Sequence, residues 1–478
     1  MITQIEIDGF KSFKDFKVEL APFQVIVGPN GSGKSNLFDA LQLLSRLAEM
    51  DLSLAFQEMR GGPSELFTKF PDGKIGNSIR LAVEMLVNRK VQDDLGREFE
   101  LDYTRLRYEL NIVRRGFERL YVEDESLRAI PQSSDEWCKR YLNSSPEKWL
   151  PLSTDEGKIF LDANNDALPL PPEMVHRRSN AKFINVYPDG KVVKDGVAQF
   201  NAELFKRTFL SSAMSSNYPH LLGVQQELRT LKFLHLNPDS LRQSSSATAP
   251  KFLSPNGSNL PTTLARIQRE DTFAFHNISL DMTDLVPEIL DIDIKLNLAQ
   301  NNYDIYARTS DQRVFSAQVL SDGTLRLLAL ATLRNDPQFY GILCLEEPED
   351  GVQPLYLEKI ASLLRDMATN FKDPQQEEVP LRQVLITTHS PLLISQPGIR
   401  DALLLAFTTT HLRGKDAPPL KVTRMTPVLA SDSLATHASN ERALEAYTID
   451  MVIKYLDSAT FDETRNQLEQ ARKKLHKR

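Results

Sequence analysis

Residues 28–35, Gly-Pro-Asn-Gly-Ser-Gly-Lys-Ser, fit the pattern G-x-x-x-x-G-K-S and constrain the fold more than any bulk property of the chain. They follow the apolar run Phe23, Gln24, Val25, Ile26, Val27 and precede a helical pattern of Leu37, Ala40, Leu41, Leu44 and Leu47. A strand that turns through glycines straight into a helix belongs to α/β architectures, in which strands alternate with helices. Phosphate oxygens need convergent N–H donors and a cation, which a glycine-permitted backbone, a helix N-terminus and Lys34 supply, while the Ser35 hydroxyl suits a Mg²⁺ ion. The candidate nucleotide-binding residues here are Gly28, Pro29, Asn30, Gly31, Ser32, Gly33, Lys34, Ser35 and Asn36.

The same alternation returns late in the chain. Residues 341–345 and 384–388 read as buried strands on either side of a helix at 356–367, and Leu325, Leu328 and Leu333 mark the apolar face of a helix over 324–333. Glu346 and Glu347 close the first of these strands, at the end where open α/β sheets bind ligands. Two adjacent carboxylates can divide the work: Glu346 holds a Mg²⁺ hydration shell, and Glu347 orients or deprotonates the attacking water. His389, in Thr-Thr-His-Ser-Pro, ends the second strand, where an imidazole can donate to a γ-phosphate oxygen. Ser321, Asp322 and Gly323 open the 324–333 helix. A hydroxyl, a glycine backbone and a helix dipole there make a second anion site, and Ser321 or Asp322 also reads as an ordinary N-cap.

The remaining features set outer limits. A chain of 478 residues is too long for one ordinary core, and 41% apolar with 25% charged residues is the balance of a globular protein. The net charge of −7 argues against a surface that is basic throughout, although it is compatible with a local groove for nucleic acid. Cys138 and Cys344 alone offer neither a disulfide framework nor a thiolate metal site. No apolar run approaches the ~18 residues of a membrane span, and the start lacks the basic and apolar regions of a signal peptide, so the expected location is cytoplasmic.

Between the two motif-bearing ends, alternation over 79–87 and 101–113 predicts strands, hence a sheet lobe beside the nucleotide loop. Residues 131–180 read as irregular and Pro-rich, 198–235 as helical, and 243–263 as a Ser-, Pro- and Asn-rich connection. Residues 289–298 and 303–307 read as paired strands, and 441–478 as helical with a basic tail of Arg472, Lys473, Lys474, Lys477 and Arg478. Four units follow. Residues 1–125 carry the nucleotide loop, 126–275 an insertion that is irregular and then helical, 276–425 the later motifs, and 426–478 a helical end.

Taken together, GPNGSGKS, LSDGT, LEEPEDG and TTHSP resemble the Walker A, signature, Walker B and H-loop motifs of ABC-type ATPases. They are similar in particular to the RecF-like, SMC-like and OLD-like branch and the related ATPases of bacterial phage defence. The opening IEIDGFKSFKDFKVEL resembles that branch's first strands. The resemblance implies an ABC-type head, a mixed sheet flanked by helices plus an antiparallel β lobe, here with a helical insertion. It implies ATP and Mg²⁺ as cofactors and a homodimer or higher assembly in which Ser321, Asp322 and Gly323 of one copy close on the nucleotide of another. It also implies Glu347 as catalytic carboxylate and His389 as switch. Gln353 departs from the His common in the family, and no Q-loop glutamine is placed. The implied function is a sensor or switch for a nuclease or toxin effector; the alternative is a RecF- or SMC-like repair ATPase acting on DNA. A built-in Toprim nuclease finds no carboxylate constellation after Pro391, where Asp432 and Asp450 are isolated. The lack of sustained heptads disfavours a long coiled coil.

Overall fold

The computed structural model describes residues 1–115, 119–142, 149–150, 159–164, 183–186, 198–201, 206–212, 218–250, 252–373, 376, 380–412, 418–429, 447–448, 451–453 and 456. The first half contains β1 (Ile2–Asp8), β2 (Phe16–Glu19), β3 (Phe23–Val27), α1 (Lys34–Leu47), α2 (Leu52–Gln57) and α3 (Pro63–Leu66). It continues with β4 (Ser78–Leu86), β5 (Lys90–Gln92), β6 (Glu98–Glu100), β7 (Arg105–Arg115), β8 (Arg119–Ala129) and α4 (Glu136–Tyr141). Then come β9 (Ile159–Asn164), β10 (Phe183–Val186), β11 (Ala198–Asn201), α5 (Pro219–Arg229), β12 (Lys232–Leu234), α6 (Pro238–Leu241) and β13 (Ser245–Ser246). The second half adds α7 (Leu260–Glu270), α8 (Thr272–Leu285), β14 (Ile289–Asn297), β15 (Asn302–Thr309), β16 (Val314–Ser316), α9 (Asp322–Asn335) and β17 (Gly341–Glu346). It ends with α10 (Leu357–Asp366), β18 (Arg382–Thr388), α11 (Pro391–Ile394), β19 (Leu403–His411), β20 (Leu420–Leu429) and β21 (Tyr447–Thr448).

One sheet, in the order β12-β17-β18-β3-β19-β20-β21, positions the site. Strands β12, β17, β18, β3 and β19 run parallel. Their residues are apolar on both faces because both faces are covered. Ile342, Cys344, Leu385, Ile26 and Leu404 enter a core shared with Leu37, Leu41 and Leu44 of α1. Leu343, Leu345, Val384, Val25 and Leu405 point the other way, into a core with Ile278 and Met282 of α8, Leu325 and Leu328 of α9, and Ile360 and Leu364 of α10. Each such fully buried side chain contributes roughly 1.5–3 kcal/mol of hydrophobic transfer free energy.

The second sheet is an eight-stranded antiparallel lobe, β11-β10-β9-β8-β7-β4-β1-β2. Its inner face alternates as expected, with Ile79, Leu81, Val83 and Met85 of β4 all buried in the α1 core. On its outer face Arg107 bridges Glu6 at 2.8 Å, Glu84 at 3.1 Å and Glu109 at 2.5 Å, which pairs three neighbouring strands by charge. The lobe reaches α1 through Glu125 of β8. Its carboxylate accepts from Tyr108 Oη (2.9 Å), Phe209 N (2.7 Å) and Leu210 N (2.9 Å), while Thr208 Oγ1 donates to Leu47 O at the end of α1 (2.7 Å).

The interior of the chain differs from its sequence pattern. Among the described residues of 198–235 an α-helix forms at Pro219–Arg229, whereas Ala198–Asn201 is a strand of the lobe and Lys232–Leu234 joins the parallel sheet beside β17. The stretch read as irregular contributes β9, which pairs with β8. The 243–263 connection contains β13, and α7 begins inside it at Leu260. The basic tail lies outside the described residues.

Candidate nucleotide site

All four strands β12, β17, β18 and β3 end at one edge of the sheet, and the register aligns Leu234 with Leu345, Glu346 with Thr387, and Thr388 with Val27. The sequence-predicted groups Lys34, Glu346, Glu347 and His389 are therefore brought together at the carboxyl ends, where such sheets bind ligands.

The 28–36 loop turns on left-handed glycines, φ 79° at Gly31 and 97° at Gly33, and Gly33 leads directly into α1. A Cβ on Gly33 would lie 2.1 Å from Thr423 Oγ1, and one on Gly28 would lie 2.3 Å from Ala406 O, so β20 and β19 press on the loop from behind. Lys34 Nζ donates to Gly28 O (2.6 Å) and Pro29 O (3.1 Å). Burial holds this ammonium below the usual lysine range, and the carboxylates of Glu347, Glu346 and Glu349 pull it back up. The buried Ser32 Oγ has no hydrogen-bond partner among the described residues. A tight glycine loop, a desolvated cation and an orphaned hydroxyl are the groups a triphosphate satisfies, so the residues fit ATP.

The carboxylate loop opposite is held on several sides. His389 Nδ1 lies 2.8 Å from Glu347 Oε1, the imidazole N–H donating to the carboxylate. Glu347 N donates to Thr387 O (2.9 Å), and Glu347 O accepts from Arg326 Nη1 of α9 (3.3 Å). Thr388 joins all three motif loops. Its carbonyl accepts from Gly28 N (3.4 Å), its hydroxyl donates to Glu349 Oε1, and the Thr388 hydroxyl oxygen in turn accepts from Ser390 N (2.9 Å). Glu349 is buried, which raises its carboxyl above the usual range, and Thr388 partly offsets the rise.

Ser321 caps α9, its Oγ accepting from Thr324 N at 3.1 Å. Asp322 is ion-paired with Arg242, and a Cβ on Gly323 would lie 2.6 Å from Gly351 O, so the 321–323 loop packs against the turn that follows the carboxylates. Among the described residues no group of three or more His, Cys, Asp and Glu gathers as a metal site. No helix among them is long and apolar enough to cross a membrane.

Three site neighbours escaped the sequence reading. His235 follows β12 and places Nδ1 3.5 Å from Glu346 Oε2. Thr423 of β20 donates to Ser32 O (3.0 Å) and meets Ser12 Oγ at 2.7 Å, and Asn36 Nδ2 donates to that same Ser12 oxygen (2.8 Å). His235 and Thr423 stand in no motif, and Ser12 lies in the opening stretch, which was read only for its strands.

Residues 1–209 match a family model described as an AAA ATPase domain, and residues 221–395 match one described as "AAA domain, putative AbiEii toxin, Type IV TA system". The chromosome partition protein Smc of Bordetella petrii is 31% identical over 129 residues, covering 27% of this chain and 10% of that protein. The Smc protein of Clostridium kluyveri is 32% identical over 129 residues, with 26% and 10% covered. The chain thus spans about a tenth of the length of these curated relatives. Among solved structures, an Smc head bound to the C-winged helix domain of ScpA aligns over 89% of this chain and 98% of its own, at 13% identity and a TM-score of 0.46. The SMC head domain from Thermotoga maritima aligns over 90% and 99%, at 13% identity and a TM-score of 0.38. The two matched models, together with a phosphate-type loop facing Glu347 and His389, support an ATPase of the AAA and SMC-like type.

Proposed function

We propose that the chain hydrolyses ATP, with Mg²⁺, at a site completed by Ser321, Asp322 and Gly323 of a second copy, and that this cycle switches a nuclease or toxin effector in cytoplasmic anti-phage defence. The convergence of Lys34, Glu346, Glu347 and His389 at one sheet edge carries the hydrolytic part of this reading. Gly28, Pro29, Asn30, Gly31, Ser32, Gly33 and Asn36 surround the phosphates, and Lys34 turns from its carbonyl partners to phosphate oxygens. Ser35 and Glu346 would hold the cation, whose charge offsets the build-up on the transferred phosphoryl group. Glu347 orients the attacking water and takes its proton, and His389 donates to the γ-phosphate oxygen. The description of the model matched by 221–395, a putative toxin of a toxin–antitoxin system, supports an effector-linked role. The Smc relatives favour a second reading, direct action on DNA, whose mark would be binding that weakens steeply with salt.

Glu347→Gln tests the hydrolytic assignment. It should lower turnover by about 100-fold or more while ATP binding survives, and it should accumulate an ATP-held assembly visible by size-exclusion chromatography with light scattering. Hydrolysis at the normal rate would refute the role given to Glu347.

A further inference from the structure

Beyond the Thr324 hydroxyl that meets Ser321 Oγ at 2.8 Å, the 318–322 loop is tied to a distant part of the chain by Arg242. Arg242 Nη1 donates to Gln318 O (3.0 Å) and Leu320 O (3.3 Å), and Nη2 pairs with Asp322 Oδ1. Its side chain is only 22% exposed. A planar guanidinium reaches several acceptors at once in a fixed geometry, which a flexible ammonium cannot do.

Arg242 also ends a stretch that starts at the carboxylates. Leu234 pairs with Leu345, and His235 lies beside Glu346. The chain is then fixed at each step: His235 N donates to Pro255 O (2.9 Å), and Asn237 Oδ1 caps α6 through Asp239 N (2.8 Å). Leu241 is fully buried. One short, rigid segment thus runs from the Glu346 end of the sheet to the 321–323 loop.

We propose that Arg242 is a positioning residue that sets the presentation of Ser321 and Gly323 to the nucleotide held by a second copy. This rests on the composite-site reading above. It predicts that loss of the Arg242 fork leaves a copy able to bind ATP but unable to complete its neighbour's site.

The test uses full-length Arg242→Ala, Arg242→Lys, Ser321→Ala and Lys34→Ala, alone and in equimolar pairs, with ATP affinity and turnover measured for each. Arg242→Ala alone should keep its ATP affinity and lose about 10- to 100-fold in turnover, the scale of a misplacement of roughly 1 Å. Arg242→Lys should fall between, and it carries the test if the alanine variant does not fold. Mixed with Lys34→Ala, Arg242→Ala should recover up to about a quarter of wild-type turnover, because half of randomly formed twofold pairs contain one intact site. Wild-type turnover by Arg242→Ala overturns the proposal. So does recovery in the Ser321→Ala and Lys34→Ala mixture without recovery in the Arg242→Ala and Lys34→Ala mixture. If neither mixture recovers, the composite-site reading itself fails, and the role given to Arg242 falls with it.

Discussion

Glu347 adopts φ 46°, in the left-handed region, although it is not glycine. That conformation costs on the order of 1–2 kcal/mol for an ordinary side chain, so it persists only where neighbours over-determine it. Here they do. The amide is taken by Thr387 O, and the carbonyl accepts from Arg326 and from Asp350 N at 3.2 Å, which together turn the carboxylate toward His389. Glu346 has a looser partner in His235, whose side chain is 70% exposed. If His235 orients Glu346, His235→Ala should lower turnover about tenfold with little change in ATP affinity, and His235→Gln should restore part of it. Equal turnover in all three proteins, measured by steady-state phosphate release, would reduce His235 to a bystander. The proximity of Glu347 and His389 was legible because each ends an apolar strand. The roles of His235 and Arg242 were not, since both depend on which strand neighbours β17, and Lys-Phe-Leu is too short to stand out from helical spacing.

At the scale of elements, β20 stabilises the nucleotide loop by a relay in which Asn36 donates to Ser12, Ser12 to Thr423, and Thr423 to Ser32 O. Gly33 is obligatory in this packing, because its φ of 97° and its contact with Thr423 both forbid a Cβ. Thr423→Val keeps the shape and deletes the hydroxyl, which leaves Ser32 O and Ser12 Oγ short of a partner. One lost net hydrogen bond of about 1 kcal/mol should weaken ATP binding by roughly fivefold. Ser12→Ala should act on the same relay, so calorimetric affinities of the double variant should fall well short of the sum of the two single losses. Additive losses would show the relay to be two separate contacts. No pattern in the sequence pointed here: β20 alternates like any half-buried strand, and its bearing on the loop comes from lying beside β19. Strands β3, β17 and β18 were readable for the opposite reason, as short apolar runs that each end in a motif.

For the whole molecule, the buried join between the lobe and α1 should be sensed in stability against pH. Burial raises the Glu125 carboxyl to about 7, with the Phe209, Leu210 and Tyr108 donors opposing the rise. An acid whose folded pKa exceeds its unfolded value binds more protons folded than unfolded, so its contribution falls as pH rises from about 4.5 to about 7 and is flat beyond. Glu125→Gln lacks that slope, so its melting temperature relative to the unsubstituted protein should climb across this window and level off above pH 7; a pH-independent difference would contradict the assignment. The order of strands in the parallel sheet has a consequence for how the chain is made. Phe23 pairs with Val384 and Val25 with Leu403, so β3 lies between two strands that emerge from the ribosome only after nearly all of the intervening chain. Pairings this distant in sequence make folding slow and leave an apolar strand without neighbours during synthesis. The nascent N-terminal half should therefore be a client of ribosome-associated chaperones, and the nucleotide loop should not bind ATP until the last strands of the sheet have been translated.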